Sequence, residues 1–299
     1  MLFVILGKLK LPVKKNRMNN MKIIPGIVSP SLSLKIATAL NLKLAKTTFR
    51  EFPDGEIYVK VENFDDKNII VQSLISNEDI VSLMMLFDAL KGTEIITVIP
   101  YMGYARQDRA FEKGEAISIR AIAEFLESYS FKILTVNLHS EKGASYFNKL
   151  INLDATPLIG NYFKGRDIVM ISPDLGFCER VKVLAKIGNF KFYCLEKRRI
   201  DSKKVEILAK NLDIKGKKVV IVDDIISTGE TIIKAGKILL EKGAENITAV
   251  CIHPVLANCS LNDIYRAGIK EVIATDTIER SISKISVADL IANELRKLM

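Results

Sequence analysis

Short apolar runs recur along the chain, separated by stretches whose apolar residues fall three and four positions apart. The runs predict strands over 22–28, 68–72, 94–99, 132–138, 167–172, 190–195, 217–222, 246–252 and 270–275. The intervening spacing predicts helices over 78–90, 117–129, 176–187, 230–241 and 287–298. In the stretch 230–241, Ile232, Ile233, Ala235, Gly236, Leu239 and Leu240 form one apolar face. Strands that read as continuous apolar runs are buried on both faces, as when crossover helices cover a parallel sheet. The pattern therefore predicts an α/β chain with mostly parallel sheets flanked by helices.

The pattern also repeats. Shifted by 151 residues, Lys67–Val98 lies on Lys218–Ala249 with ten identities and no gap, pairing KGTEIIT at 91–97 with KGAENIT at 242–248. Ile-Val-Ser-Pro at 27–30 likewise echoes Met-Ile-Ser-Pro at 170–173. We expect two tandem, duplicated Rossmann-like domains over 22–150 and 151–285, with a helix at 286–299 packing back on the first. Residues 1–21 carry no motif, and Met21 directly precedes a strand-like run. They are expected to form a disordered extension.

Charge changes this picture little. Lys8, Lys10, Lys14, Lys15 and Arg17 supply +5 of the net +9, leaving +4 for the other 278 residues. That is mildly basic, as expected of a protein that handles phosphates, and it weakens a nucleic-acid reading. No apolar stretch reaches membrane-spanning length, so no membrane partner is expected. Cys178, Cys194, Cys251 and Cys259 show no C-x-x-C spacing. They are expected to be small core residues of a cytoplasmic protein, neither zinc ligands nor disulfides.

The copies differ at one strand end, where the second has Asp223-Asp224 and the first has Gln72-Ser73. In KKVVIVDDIISTGETIIKA, a buried strand leads into two acids, a small-residue loop and a helix. Ligands of open α/β sheets bind beyond the carboxyl ends of strands. Backbone N–H groups around Ser227, Thr228, Gly229, Glu230 and Thr231, with the hydroxyls, can hold a phosphate. Asp223 and Asp224 can accept from vicinal sugar hydroxyls, which together describes a ribose 5-phosphate site. Neither a GK[ST] nor a G-x-G-x-x-G pattern is present here.

The string VVIVDDIISTGET resembles the phosphoribosyl-diphosphate-binding motif of type I phosphoribosyltransferases. Five further stretches follow in order: EFPDGEIYVKVE (51–62), PYMGYARQDR (100–109), VNLHSEK (136–142), SPDLG (172–176) and LEKRRI (195–200). Over about residues 22–290 the chain thereby resembles the ribose-phosphate pyrophosphokinase family. The resemblance implies two phosphoribosyltransferase-like domains and a homo-oligomer whose ATP site is shared between subunits. It implies transfer of the diphosphoryl group of MgATP to the anomeric hydroxyl of D-ribose 5-phosphate, giving 5-phospho-α-D-ribose 1-diphosphate and AMP.

Residue by residue, the resemblance assigns Lys197 and Arg199 to transition-state stabilisation, with Arg199 also on ribose 5-phosphate. Both are expected on a basic loop that folds over the triphosphate. Arg106, Gln107 and Asp108 are assigned to ATP, and Phe52, Asp54, Gly55 and Glu56 to adenine from a neighbouring subunit. His139 is assigned to ATP, and His139 with Asp174 to the Mg²⁺ that accompanies it. His253 is expected to be structural. Leu175 departs from the histidine that many bacterial members carry. Glu230 departs from the usual small residue and is expected to face solvent at a helix start. A phosphoribosyltransferase would lack the RQDR and LEKRRI stretches, and a non-catalytic homologue would have lost Lys197, Arg199, His139 or the acid pair.

Overall fold

A computed structural model describes residues 21–199, 205–208 and 212–299. The first half runs β1 (Met21–Pro25), α1 (Pro30–Leu40), β2 (Lys43–Leu44), β3 (Lys46–Glu51), β4 (Ile57–Glu62), β5 (Lys67–Val71), α2 (Asn77–Ala89), β6 (Glu94–Ile99), α3 (Ser118–Tyr129), β7 (Lys132–Val136), α4 (Glu141–Ala144) and β8 (Leu150–Leu153). The second runs α5 (Thr156–Phe163), β9 (Val169–Ser172), α6 (Cys178–Gly188), β10 (Lys191–Cys194), β11 (Glu196–Arg199), β12 (Val205–Leu208), β13 (Lys218–Ile226), α7 (Glu230–Glu241), β14 (Asn246–Pro254), α8 (Ser260–Arg266), β15 (Glu271–Thr275), β16 (Ser283–Ile285) and α9 (Ala288–Leu298).

Each half builds a six-stranded sheet, ordered β2-β1-β5-β6-β7-β8 and β10-β9-β13-β14-β15-β16. Neighbouring strands within both sheets are parallel. In each half a two-stranded antiparallel hairpin, β3–β4 or β11–β12, stands between the second and third sheet strands in the chain. The strand order and the hairpin position therefore repeat together, as a duplication requires.

The alternation within each strand sorts side chains to opposite faces of the sheet. Ile70 and Ile95 pack on one face of the first sheet, whereas Ile69, Val71 and Ile96 face the other. That second face joins a single apolar cluster with Met170, Val220, Val222 and Ile273 of the second half. Helices α1, α5 and α9 contribute to the same cluster, with Leu32 and Ile36 of α1 and Ile291 and Leu295 of α9. Arg296 of α9 donates to the Ala39 carbonyl, tying the helix to α1. A shared core of this kind fixes the two sheets relative to each other.

Local chemistry sets several boundaries. Helix α2 starts where Ser76 and Asp79 form a capping box. Helix α1 has proline in its first turn, where a missing N–H costs nothing, and ends on Asn41 in the left-handed region at φ 54°. Strand β13 runs through Ile226, past the apolar run that predicted it, because its parallel pairing with β14 continues to Ile226–Pro254. Met21 is buried as the first residue of β1, so it belongs to the fold rather than to the extension. Residues 1–20, expected to be a tail, lie outside the described residues.

The cysteine expectation needs correcting. Cys178 and Cys194 form a disulfide, while Cys251 is a buried free thiol and Cys259 an exposed one. Sequence spacing did not reveal the pair because the crossover creates it. Helix α6 starts at the carboxyl edge of the sheet, and β10 returns to that edge at its own end. Such bridges occur in intracellular proteins of hyperthermophiles, so the bond does not by itself move the chain out of the cytoplasm. A bridge closing 16 residues should contribute about 2–4 kcal/mol. Dithiothreitol should therefore lower the urea midpoint of the native chain and leave that of Cys178→Ser/Cys194→Ser unchanged. Equal midpoints with and without reductant in the native chain would contradict this.

Candidate active site

The two sheets meet at their carboxyl ends. After β7, Asn137 enters the left-handed region at φ 42°. Its side chain stabilises the turn, Nδ2 donating to Asp154 Oδ1 at 2.8 Å and Oδ1 accepting from Ala155 N at 2.7 Å. The turn carries the chain through buried Leu138 to His139, whose Nδ1 lies 2.8 Å from Asp224 Oδ2 on β13 of the other half. This contact brings the histidine of the first half and the acid pair of the second into one site.

The electrostatics follow from that geometry. The Asp224 hydrogen bond raises the His139 pKa above its ordinary value, although burial opposes the charge. Burial is the largest influence on Asp224 and acts to raise it, yet the hydrogen bond and charge of His139 bring the carboxyl below its ordinary value. Among the described residues, no such cation pairs with Asp223. Burial, then the charges of Asp224 and Asp174, push it above the usual carboxylate range. A half-buried acid pair of this kind is costly unless donors or cations reach it.

Asp174 lies in the loop after β9, where its Oδ1 accepts from Gly176 N at 3.0 Å and Ser172 Oγ donates to its carbonyl at 2.6 Å. Among the described residues, no group of three or more His, Cys, Asp or Glu is arranged to hold a metal by itself. Mg²⁺ usually takes one or two carboxylates and completes its shell with waters and substrate phosphates. The carboxylate of Asp174 provides a hard oxygen donor of the right chemistry for such an ion.

Beyond β13, half-buried Ser227 and exposed Thr228 lead to Gly229, the N-cap of α7, at φ 77°. A Cβ here would come within 2.9 Å of Ile264 Cδ1, so both the backbone angle and the space call for glycine. No side chain caps this helix, so the first-turn N–H groups lie open to an anion. Glu230 is exposed, as expected, and its Oε2 pairs with Lys234 Nζ at 3.3 Å. Half-buried Thr231 follows in the first turn.

Arg106 is exposed and lines a small cleft with Tyr101, Asn137, His139, Ile225 and His253. Gln107 lies with it beside Tyr104 and Ser118. Asp108 is buried, with its carboxylate engaged by Arg109 Nε at 3.0 Å and by Ser140, and those partners lower its pKa. Its carboxylate thus supports the loop that carries Arg106 and Gln107.

Phe52, Asp54, Gly55 and Glu56 form the exposed tip of the β3–β4 hairpin. Its turn is closed by Gly55 N to Phe52 O at 2.9 Å and Phe52 N to Glu56 O at 2.8 Å, with Gly55 at φ 92°. Among the described residues, no hydrogen bond or ion pair joins this tip to Arg106, His139 or Asp224 of the same chain. Lys197 and Arg199 lie on β11, paired with Ile207 and Val205 of β12, so the expected loop is a strand of a hairpin. Leu195, buried just before β11, donates its N–H to the Ser172 carbonyl at 2.9 Å and anchors the hairpin beside the Asp174 loop.

The first half shows what its own strand end has become. Gln72 is buried, and its Nε2 donates to the Asp79 carbonyl at 2.6 Å and lies 2.7 Å from Ser82 Oγ. Its Oε1 accepts from Ile27 N at 3.1 Å. The side chain fills the space where the second half presents an acid. Sequence reasoning missed Asn137, Tyr101 and this plug; an asparagine at a strand end was the available signal for the first.

Known families match the two halves of the chain in turn. Residues 21–129 match the N-terminal domain of ribose phosphate pyrophosphokinase, and residues 182–283 match a phosphoribosyl transferase domain. The chain is 50% identical to ribose-phosphate pyrophosphokinase 2 of Archaeoglobus fulgidus, over 92% of this chain and 100% of that protein. It is 41% identical to the ribose-phosphate pyrophosphokinase of Methanosarcina acetivorans, over 93% and 100%. The structure resembles phosphoribosylpyrophosphate synthetase from Mycobacterium smegmatis, with a TM-score of 0.79 and 27% identity over 93% of this chain and 98% of that one.

Gly229 offers a direct test of the loop geometry. Gly229→Ala should destabilise the chain by about 1–3 kcal/mol, through the positive φ and the clash with Ile264. Equilibrium urea unfolding would read this, and an unchanged midpoint would contradict the close approach.

Proposed function

The chain belongs to the ribose-phosphate pyrophosphokinase family, and from that premise we propose how its residues divide the reaction. It is an enzyme that transfers the diphosphoryl group of ATP to ribose 5-phosphate. The anomeric oxygen forms a bond to the β-phosphorus, the bond from that phosphorus to the bridging oxygen breaks, and AMP leaves. The observation that carries the assignment of roles is the His139–Asp224 contact, which sets a nucleotide side against a sugar-phosphate side.

The second half holds ribose 5-phosphate. The open N–H groups at the start of α7, with Ser227, Thr228 and Thr231, receive the 5-phosphate. Asp223 and Asp224 accept from the ring hydroxyls, which add to the donors they already have in His139 and the Asp224 and Ile225 N–H groups. Glu230 contributes its backbone, since its carboxylate pairs with Lys234. The first half holds ATP, with Arg106 and Gln107 on the triphosphate and His139 at its inner end. The exposed hairpin tip of Phe52, Asp54, Gly55 and Glu56 serves the adenine of a neighbouring copy, which accounts for its separation from the site of its own chain. That arrangement requires a homo-oligomer.

Lys197 and Arg199 meet the charge that develops on the transferred group. Reactions of this kind depend mainly on positioning and charge neutralisation. Mg²⁺, carried with ATP, would be held by Asp174 beside His139, and it would supply charge neutralisation on the phosphate oxygens. We place the enzyme in the cytoplasm; no described helix is long and apolar enough to cross a membrane.

Purified protein with MgATP and ribose 5-phosphate should yield AMP and phosphoribosyl diphosphate in equal amounts. ADP in place of AMP would reject diphosphoryl transfer. Asp223→Asn should raise KM for ribose 5-phosphate far more than KM for ATP, and equal losses would contradict its assignment to the sugar. Lys197→Ala and Arg199→Ala should each lower kcat by about 10²–10³-fold while ATP still binds. Their Tm should stay near that of the native chain. Normal turnover in both would end the transition-state assignment.

A further inference from the structure

Behind the site lies a buried polar seam between the halves, and one member has no part in the chemistry above. His253 stands near the end of β14, almost fully buried, with its ring centroid 5.0 Å from that of Tyr101. Its Nε2 is 3.3 Å from the Asn137 carbonyl of the first half, and its Nδ1 is 2.9 Å from Thr277 Oγ1. A carbonyl only accepts, so Nε2 carries the hydrogen and Nδ1 accepts from the Thr277 hydroxyl. The Ile252 carbonyl lies 2.6 Å from Thr275 Oγ1 and 2.8 Å from Thr277 Oγ1; with Thr275 donating to it, the Thr277 proton is left for Nδ1. Burial pushes the His253 pKa down to about 4, in keeping with a neutral ring.

The partner of His253 is the residue that turns the chain toward His139. Asn137 is held at φ 42° by Asp154 and Ala155, and its carbonyl is then fixed by the second half. Two residues on, His139 meets Asp224. The two docking points lie on adjacent strands, since Ile225 and His253 are paired in the β13–β14 register. The Asn137–His139 turn is thus clamped at both ends onto neighbouring strand ends of the other sheet. Ser73 strengthens the seam by donating to the Thr277 carbonyl at 2.5 Å.

We propose that His253 is a positioning residue for diphosphoryl transfer, docking the Asn137–His139 turn onto the ends of β13 and β14 and so fixing where His139 meets Asp224. This rests on the reading of His139 and Asp224 as the junction of the ATP and ribose sides. The role is distinct from core filling, because it needs a donor at one ring position and not merely volume. Misplacement of a reacting group by about 1 Å can cost 10²-fold in rate. A lost clamp should therefore appear in kcat.

The test compares His253→Leu, which keeps bulk without a donor, with His253→Gln, whose amide N–H can reach the Asn137 carbonyl. Leu295→Ala, in the α1–α9 contact, controls for lost stability alone. Turnover per folded enzyme is measured at saturating substrates, together with Tm. His253→Leu should lose ten-fold or more in kcat, His253→Gln should recover most of it, and Leu295→Ala should keep native kcat despite a lower Tm. Thr277→Val, which removes only the hydroxyl, should lose several-fold and covers the case of a His253→Leu chain that does not fold. Native kcat in His253→Leu or in Thr277→Val, or equal impairment of His253→Gln and His253→Leu, would overturn the proposal. If native enzyme released ADP instead of AMP, the diphosphoryl reading would fall. The ratios among variants, read on the product formed, would still decide the role of His253.

Discussion

The hydrogen bond between His139 Nδ1 and Asp224 Oδ2 can form only while the two halves hold one orientation. Neither residue has a reason to be where it is from its own half alone. Asp224 is an acid on a buried strand beside a second acid, an arrangement that burial penalises. His139 follows a strand that must turn through a left-handed asparagine to deliver it. The His139 hydrogen bond offsets part of the cost of the acid, and the acid orients the ring. The apolar cluster shared by the two sheets and α1, α5 and α9 keeps the orientation in which both are satisfied. The polar seam of His253, Thr277, Ser73 and Asn137 then sets the register within it.

Duplication explains how such a site arises from one repeated unit. Both halves keep the same strand order and the same hairpin insertion. At the equivalent strand end, however, Gln72 turns inward and fills the space with hydrogen bonds to Asp79, Ser82 and Ile27, while Ser73 donates across to the second half. The strand end that carries the acid pair in one copy has become packing and interface in the other. The two hairpins have diverged as well. One exposes Phe52 and its acidic neighbours, and the other carries Lys197 and Arg199 next to the Asp174 loop.

Much of this was legible in the sequence, for definite reasons. Runs such as Val219–Val222 are apolar on both faces because helices cover both sides of the sheet, so strand positions and fold class followed. The Ser227–Gly229 loop was legible because small residues follow a buried strand and two acids there, and the structure adds the close approach to Ile264 that calls for Gly229. The Cys178–Cys194 bond was not legible, since a crossover and not a spacing brings its ends together. The extension of β13 past Val222 was also hidden, because pairing with β14 continues through two acids that a burial pattern reads as a strand end. Lys197 and Arg199 read as a loop because charge masked their pairing with β12. Asn137 lies in the VNLHSEK stretch without a role read from it, and His253 lies in no motif; their contact exists only across the interface of the halves.

The account stands on the two halves making one site through His139 and Asp224, and a double-mutant cycle on kcat/KM tests that most directly. His139→Asn, Asp224→Asn and the double variant would be compared with native enzyme at fixed pH and Mg²⁺. Residues in direct contact couple by about 0.5–3 kcal/mol, so the double variant should lose clearly less than the product of the single losses. Losses that multiply in full would show that the two residues act independently and would contradict a site built on their contact.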